Sequence, residues 1–484
     1  MTDIELPTLE PILPITYIDR PGQLPSNERK TILFMGDDLR VHSGVAVMSR
    51  EIVEGTCHRY NWIQIGAAVN NPEAGKLIDM SEVIQRDTGV RDASVKIVPY
   101  NGYGDSRVLR RVLKDFPVDA ILHFTDPRYW IWLYNLEHEI RQNIPIFFYA
   151  IWDNLPYPYY NENYYRSCDW IGAISKQTYN IVKQVIRKEQ REPWQLSYVP
   201  HGVNPNKYYK ITDEAEGLEL ENVRSQLFPN HDITFSVLYN SRNVLRKHTS
   251  DTLLAFNHFV QQLPEEERKH VILIMHTQPV DDHGTDLPTV INDVVPNINV
   301  VFSAHRVESA VLNQLYNIAD VTINIASNEG FGITTCESLM TETPIIANVT
   351  GGLQDQCGFI DDDGEYLDPE EHFSKEWGSN HDGRYKKHGE WVIPVFPVSR
   401  SLKGSPITPY IFDDCCSWEE AGDAMLSYYK MTKEERDRRG ALGKEFVMGP
   451  GGLHVENMCN LFVTHMDVAL DKFTPRDRFT LLTV

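Results

Sequence analysis

The sequence predicts an α/β protein made of two doubly wound domains facing a central cleft. Short apolar runs lacking strict alternation suit strands covered on both faces of a parallel sheet, and stretches of helical period separate them. A turn-rich break follows at Tyr198-Val199-Pro200-His201-Gly202-Val203-Asn204-Pro205, after which the same alternation begins again. At 484 residues and 42% hydrophobic content the chain can bury more than one core.

In order, residues 30–35 read as a strand, 44–54 as a helix, 62–65 and 95–98 as strands and 106–115 as a helix. Strands at 119–124, 144–151 and 170–174 continue the series, and a helix at 176–187 closes it. The second series has strands at 233–238, 271–275, 299–302, 321–325 and 345–347, with helices at 249–262 and 309–318. Residues 361–408 are loop-rich and fit no element, and the stretch before the tail 479–484 is mainly helical. The expected domains are 1–205 and 206–445, with a helical segment, 446–484, packing back on the first. Ligands of such sheets bind beyond the carboxyl ends of the strands, which places the expected site in the shared cleft.

Composition removes other classes. No run approaches the roughly 18 apolar residues of a membrane span, and Met1-Thr2-Asp3-Ile4-Glu5 lacks the basic and apolar regions of a leader. A soluble, cytoplasmic protein is expected. Seven scattered cysteines suggest reduced thiols, and no Cys/His cluster has zinc spacing. The net charge of −22 is uneven, because residues 1–200 hold 22 Lys+Arg against 25 Asp+Glu and the remainder 24 against 43. A polyanionic partner is disfavoured for the second half and permitted for the first.

The chemistry concentrates in Ser327-Asn328-Glu329-Gly330-Phe331-Gly332-Ile333-Thr334-Thr335-Cys336-Glu337, where two glutamates bracket seven residues at a strand-to-helix turn. Gly330 and Gly332 let the backbone approach a ligand and leave the first helical N–H groups for a diphosphate. One carboxylate can then accept from sugar hydroxyls and the other from a ribose diol; the bland alternative is two solvated acids beside an ordinary turn. Upstream, Arg242 and Lys247 follow a strand and can neutralise a departing diphosphate without a metal. Gly44 opens a helix after the first strand, apt for close approach to phosphate. Asp361-Asp362-Asp363-Gly364 reads as an acidic turn, and no metal is expected.

Ser241-Arg242 with Lys247, the two-glutamate motif, Thr343-Pro344-Ile345-Ile346-Ala347, Thr350-Gly351-Gly352 and Pro200-His201-Gly202-Val203-Asn204 resemble the retaining GT-B glycosyltransferases that include sucrose synthase and many mannosyl- and glucosyltransferases. The match covers roughly residues 30–355, and its specificity lies in the order of motifs. The resemblance implies a UDP- or GDP-sugar donor and no further cofactor. It places Arg242 and Lys247 on the diphosphate, Glu329 on the sugar, Glu337 on the ribose, Phe331, Gly332, Ile333 and Thr334 along sugar and phosphate, and His305 and Arg306 beside the base. It also implies retention at the anomeric carbon, the leaving diphosphate assisting the acceptor hydroxyl.

Where many members carry His-Asp, this chain has Trp152-Asp153. Asp153 remains a candidate catalytic group, and His123 with Asp126, at another strand end, is read as an alternative set facing the acceptor. Trp130 and Trp152 lie in aromatic runs that can stack on a sugar or an extruded base, or pack as core. Asp37-Asp38-Leu39-Arg40, His42-Ser43-Gly44, Trp152-Asp153-Asn154-Leu155-Pro156 and Ala173-Ile174-Ser175-Lys176-Gln177-Thr178 are similar to glycosyltransferases of large tailed bacteriophages, some of which modify hydroxymethylated cytosine in DNA. That narrower resemblance alone suggests DNA as acceptor and a host-cytoplasmic location. A polysaccharide, lipid-linked or small-molecule acceptor stays open, as does a sugar-nucleotide-binding protein without turnover. The sequence does not specify the oligomeric state.

Overall fold

The computed structural model describes residues 15–186, 191–228 and 232–477. The readings of the extreme N-terminus, of the tail 479–484 and of residue 187 as a helix end lie outside them. The chain forms two compact units, Met1–Leu122 and His123–Val484.

In the first unit, β1 (Lys30–Asp37), β2 (Tyr60–Val69), β3 (Ile78–Asp79) and β4 (Val95–Asn101) lie in the order β3-β4-β2-β1. β1, β2 and β4 are parallel, and the short β3 is antiparallel. Ile32, Leu33, Phe34 and Met35 are fully buried, as strands covered on both faces require, and Phe34 meets Trp62 edge-on at 5.8 Å. The helix Gly44–Thr56 starts where the Ser43 hydroxyl accepts from the Ala46 N–H at 3.1 Å.

β5 (Ala120–Phe124) runs from the first unit into the second, where it is followed across the sheet by β6 (Ile146–Ala150), β7 (Trp170–Ala173) and β8 (Leu196–Tyr198). A second, wholly parallel sheet contains β9 (Phe235–Asn240), β10 (Val271–His276), β11 (Val300–Phe302), β12 (Val321–Asn324), β13 (Ile345–Asn348) and β14 (Val392–Val395). Its order, β11-β10-β9-β12-β13-β14, reverses between β9 and β12. β9 is buried on both faces: Phe235, Val237 and Tyr239 join one core cluster and Leu238 another. The C-terminal helix Val455–Lys472 sets Phe462 against Tyr149 at 4.8 Å and Trp170 at 6.0 Å.

Three features were not expected from sequence. The helix Glu214–Leu227 occupies the acidic stretch after the turn-rich break; it fully buries none of its residues and packs on the core only through the narrow stripe of Leu220, Val223 and Leu227. β3 and β8 are only two and three residues long. The loop-rich stretch contributes β14 and β15 (Pro397–Lys403), and β15 pairs antiparallel with β16 (Ile411–Cys416). Six residues of β15 are exposed, which erases the alternation that marks a half-buried strand. All seven cysteines are free thiols, and among the described residues no helix is long and apolar enough to cross a membrane.

Candidate active site

The reversal between β9 and β12 opens a crevice at their carboxyl ends, and the loops leaving these two strands carry the charged groups. After β9 the chain forms a single turn, Leu245–Lys247, and His248 then takes a left-handed φ of 51° to start the helix Thr249–Gln261. That turn directs Lys247 inward, where its ammonium contacts the Glu329 carboxylate from the loop after β12. Their side chains are only 10% and 15% exposed, so the pair is largely withdrawn from water. Burial draws the Lys247 pKa well below the usual lysine range and Arg246 adds to the fall. Asp153 opposes it.

Arg246, which the sequence reading passed over, lies 3.8 Å from Glu329 and donates to the Asn328 carbonyl at 2.7 Å. Its signal was present as the basic neighbour of Lys247. The Arg242 side chain is 65% exposed and pairs with Asp281 at 3.1 Å.

The Glu329 loop is held from behind by glycines. A Cβ on Gly351, at φ 50°, would stand 2.0 Å from the Glu329 carbonyl oxygen, and one on Gly352 would stand 2.4 Å from that of Gly330. Gly352 N–H donates to the Glu329 carbonyl at 2.9 Å. Phe331 is buried and meets the His201 ring edge-on at 5.3 Å. Gly332, at φ 83°, precedes the helix Ile333–Met340, whose start no side chain caps; Ile333 and Thr334 in its first turn are half-buried. Free N–H groups at such a start favour an anion.

Glu337 lies inside this helix, accepts from the Tyr316 hydroxyl at 2.7 Å, and is almost wholly buried. Burial raises its pKa to about 7 against the opposing hydrogen bonds of Tyr316 and Tyr208. His305 and Arg306 are exposed in the loop after β11. Gly44, in the first unit, has nothing within 4 Å of an added Cβ, so local packing does not require glycine there. Its neighbour Ser43 donates to Asp37 at 2.6 Å.

On the β6 side, Asp153 is half-buried, and burial raises its pKa while the charges of Arg246 and Lys247 pull it back. Gln177 donates to the Asp153 carbonyl at 2.6 Å and Thr178 to that of Trp152 at 2.8 Å, fixing the loop. Asn154 bonds Asn328, whose amide reaches Asp413 of β16 at 2.9 Å. Trp152 is half-buried under the Arg128 guanidinium, 4.9 Å from the ring centre.

The readings of His123 as a catalytic group and Trp130 as an acceptor contact are corrected, because both have zero exposure. His123 is stacked on Phe148 at 5.3 Å and shares a 2.7 Å hydrogen bond with the Tyr134 hydroxyl. Burial lowers its pKa to about 3, the direction expected of a ring packed in the core. Asp126 accepts from the Arg128 N–H at 3.0 Å and its guanidinium at 2.8 Å, and so caps the turn Pro127–Trp130.

No family model matches this sequence, and no curated protein matches it. Solved structures do. HepE of Anabaena, in complex with UDP and glucose, superposes with a TM-score of 0.62 at 13% identity, covering 91% of this chain and 100% of that one. Sucrose-phosphate synthase of Thermosynechococcus elongatus gives 0.62 at 14%, covering 92% and 100%. A UDP-forming α,α-trehalose-phosphate synthase of Burkholderia vietnamiensis gives 0.60 at 10%, covering 91% and 97%. At such identities the likeness establishes the architecture, and the chain has the GT-B fold expected from its motifs.

Proposed function

We propose that the protein is a retaining glycosyltransferase that moves a sugar from a nucleotide diphosphate sugar to an acceptor hydroxyl. The observation that carries the reading is the desolvated Lys247–Glu329 pair, with Arg246 beside it, at the β9/β12 switch point next to an uncapped helix start. In this reading Lys247, Arg242 and the N–H groups near Gly332–Thr334 hold the diphosphate and stabilise the charge left when the anomeric bond breaks. Glu329 orients sugar hydroxyls, Glu337 serves the ribose and Asp153 faces the reacting sugar. Residues 206–445 carry the donor and 1–205 the acceptor side. A UDP-sugar is the favoured donor, since HepE is bound to UDP and glucose and the Burkholderia protein is UDP-forming.

The basic side chains supply the charge that a metal supplies elsewhere. Transfer is expected to survive a chelator; loss with chelator and recovery with magnesium would overturn this. For the acceptor we favour a hydroxymethylated DNA base, on the narrower phage resemblance. Exposed Tyr129 and Tyr159, with half-buried Trp152, offer aromatic faces suited to stacking a base. Mass spectrometry of transfer from a panel of nucleotide sugars, with plain and hydroxymethylated DNA and an oligosaccharide as acceptors, tests both parts. Sugar mass on the oligosaccharide alone ends the DNA reading, and no transfer or hydrolysis with any donor ends the enzymatic one.

A further inference from the structure

At the amino end of β7, remote from the charged loops, a cavity of about 230 Å³ is lined by Arg141, Arg166, Arg191 and Arg476 together with Cys168 and Gln195. Four guanidiniums at one recess repel one another unless anions offset them. Three are offset by the chain itself. Arg141 pairs with Asp169 at 2.6 Å and Glu137 at 2.9 Å, Arg166 with Glu162 at 2.6 Å, and Arg476 with Glu137 at 3.1 Å.

Arg191 is the exception. It donates to the carbonyls of Gln195 and Cys168, both at 3.0 Å, and of Tyr165, and among the described residues no carboxylate pairs with it. A guanidinium has five N–H donors, so these three bonds leave two that can serve a ligand. Burial lowers its pKa to about 10, with Arg141 and Arg166 pushing the same way. Cys168 and the Asp169 carboxylate, already paired with Arg141, act against that fall, and among the described residues no carboxylate bonds the Arg191 guanidinium itself.

We propose that this recess binds the phosphate of a phosphomonoester or free orthophosphate, with Arg191 as the central ligand and Arg166 at the rim. The volume lies below the roughly 300–1,000 Å³ of drug-sized pockets, which suits a small oxyanion or a sugar phosphate. The recess is separate from the proposed donor site. Asp169 precedes β7, whereas Ile174, just beyond its other end, comes within 3.1 Å of a Cβ built on Gly330, beside Glu329.

The test is isothermal titration of the full chain with orthophosphate and, in a second arm, with a hexose monophosphate. Lys247→Ala, which alters only the proposed donor site, is expected to keep a phosphate-binding event that both arginine variants weaken. Arg191→Gln is expected to weaken binding about tenfold or more, and Arg166→Gln several-fold, as lost charge-assisted bonds predict. Arg166 is 43% exposed, so its variant keeps the test valid if Arg191→Gln fails to fold. Tighter binding of the hexose ester identifies a sugar phosphate as the ligand, and equal binding identifies the bare anion. No heat with either probe at millimolar concentration, affinity unchanged in both arginine variants, or loss in Lys247→Ala alone overturns the site.

Discussion

The carboxyl end of β5 and the crevice between β9 and β12 both offer a titratable base near a carboxylate, and the fold treats them in opposite ways. At β5, His123 and Asp126 are three residues apart, yet the histidine turns into an aromatic stack and the aspartate into a turn cap. At the crevice, Lys247 and Glu329 are 82 residues apart in sequence and meet in space. Position at a strand end therefore supplies the opportunity. A site candidate also needs ionisable groups brought together from distant loops, as Lys247 and Glu329 are.

The strongest way to break this comparison is to remove charge from the crevice. Lys247→Ala and Glu329→Gln are each expected to lower sugar transfer on the order of a hundredfold or more, as losing a group aimed at developing charge does. Glu329→Gln should leave affinity for the nucleotide diphosphate nearly intact, which titration of the free nucleotide checks. His123→Phe, by contrast, should keep turnover within about twofold and cost about 1 kcal/mol in urea denaturation for the lost Tyr134 hydrogen bond. A hundredfold loss there would restore His123 to the site.

Next in size is Gly351→Ala, where the new methyl meets the Glu329 carbonyl at a left-handed backbone position. A loss of about 1–3 kcal/mol is expected, read by chemical denaturation.

A further prediction concerns pH. His123 has a native pKa near 3 against about 6.5 unfolded, so the unfolded chain takes up the proton first. Its contribution to stability is complete above pH 6.5 and is lost as pH falls from there towards 3, by at most about 1.4 kcal/mol per unit. His123→Phe should flatten that part of the stability profile. An unchanged slope would show that the ring is not held neutral.

Smallest is Arg242→Ala, whose exposed pair with Asp281 should matter to stability by less than about 1 kcal/mol. Its nucleotide affinity should nevertheless fall about tenfold if the guanidinium turns to the diphosphate when donor binds. Unchanged affinity would remove it from the site.

The longer central strands of both sheets were legible because runs such as Ile-Phe-Phe-Tyr-Ala at β6 are apolar on both faces, a pattern that needs no knowledge of neighbours, whereas the short or edge strands β3, β8 and β14 were not. The loops that bring Glu329 and Lys247 together were legible as strand-end loops because glycines and strand ends mark them. The burial of His123 and Trp130 was not, since it is decided by Phe148, Tyr134 and their neighbours closing over them. The β15–β16 hairpin was equally hidden: its buried Asp413 and Asp414 are bonded by Asn328 and Thr350, which lie far away in sequence, and by Arg400 across the hairpin.

That hairpin is joined to the loop after β6 by Phe412 N–H to the Leu155 carbonyl at 2.6 Å, Tyr160 to the Tyr410 carbonyl at 2.8 Å and Tyr410 to the Tyr157 carbonyl at 3.1 Å. Each such bond is worth about 0.5–1.5 kcal/mol net. The conformational entropy of the loop carrying Trp152 and Asp153 is thus given up when the chain folds rather than when a ligand arrives. An incoming molecule finds a rigid wall, and more of its contact energy remains as affinity.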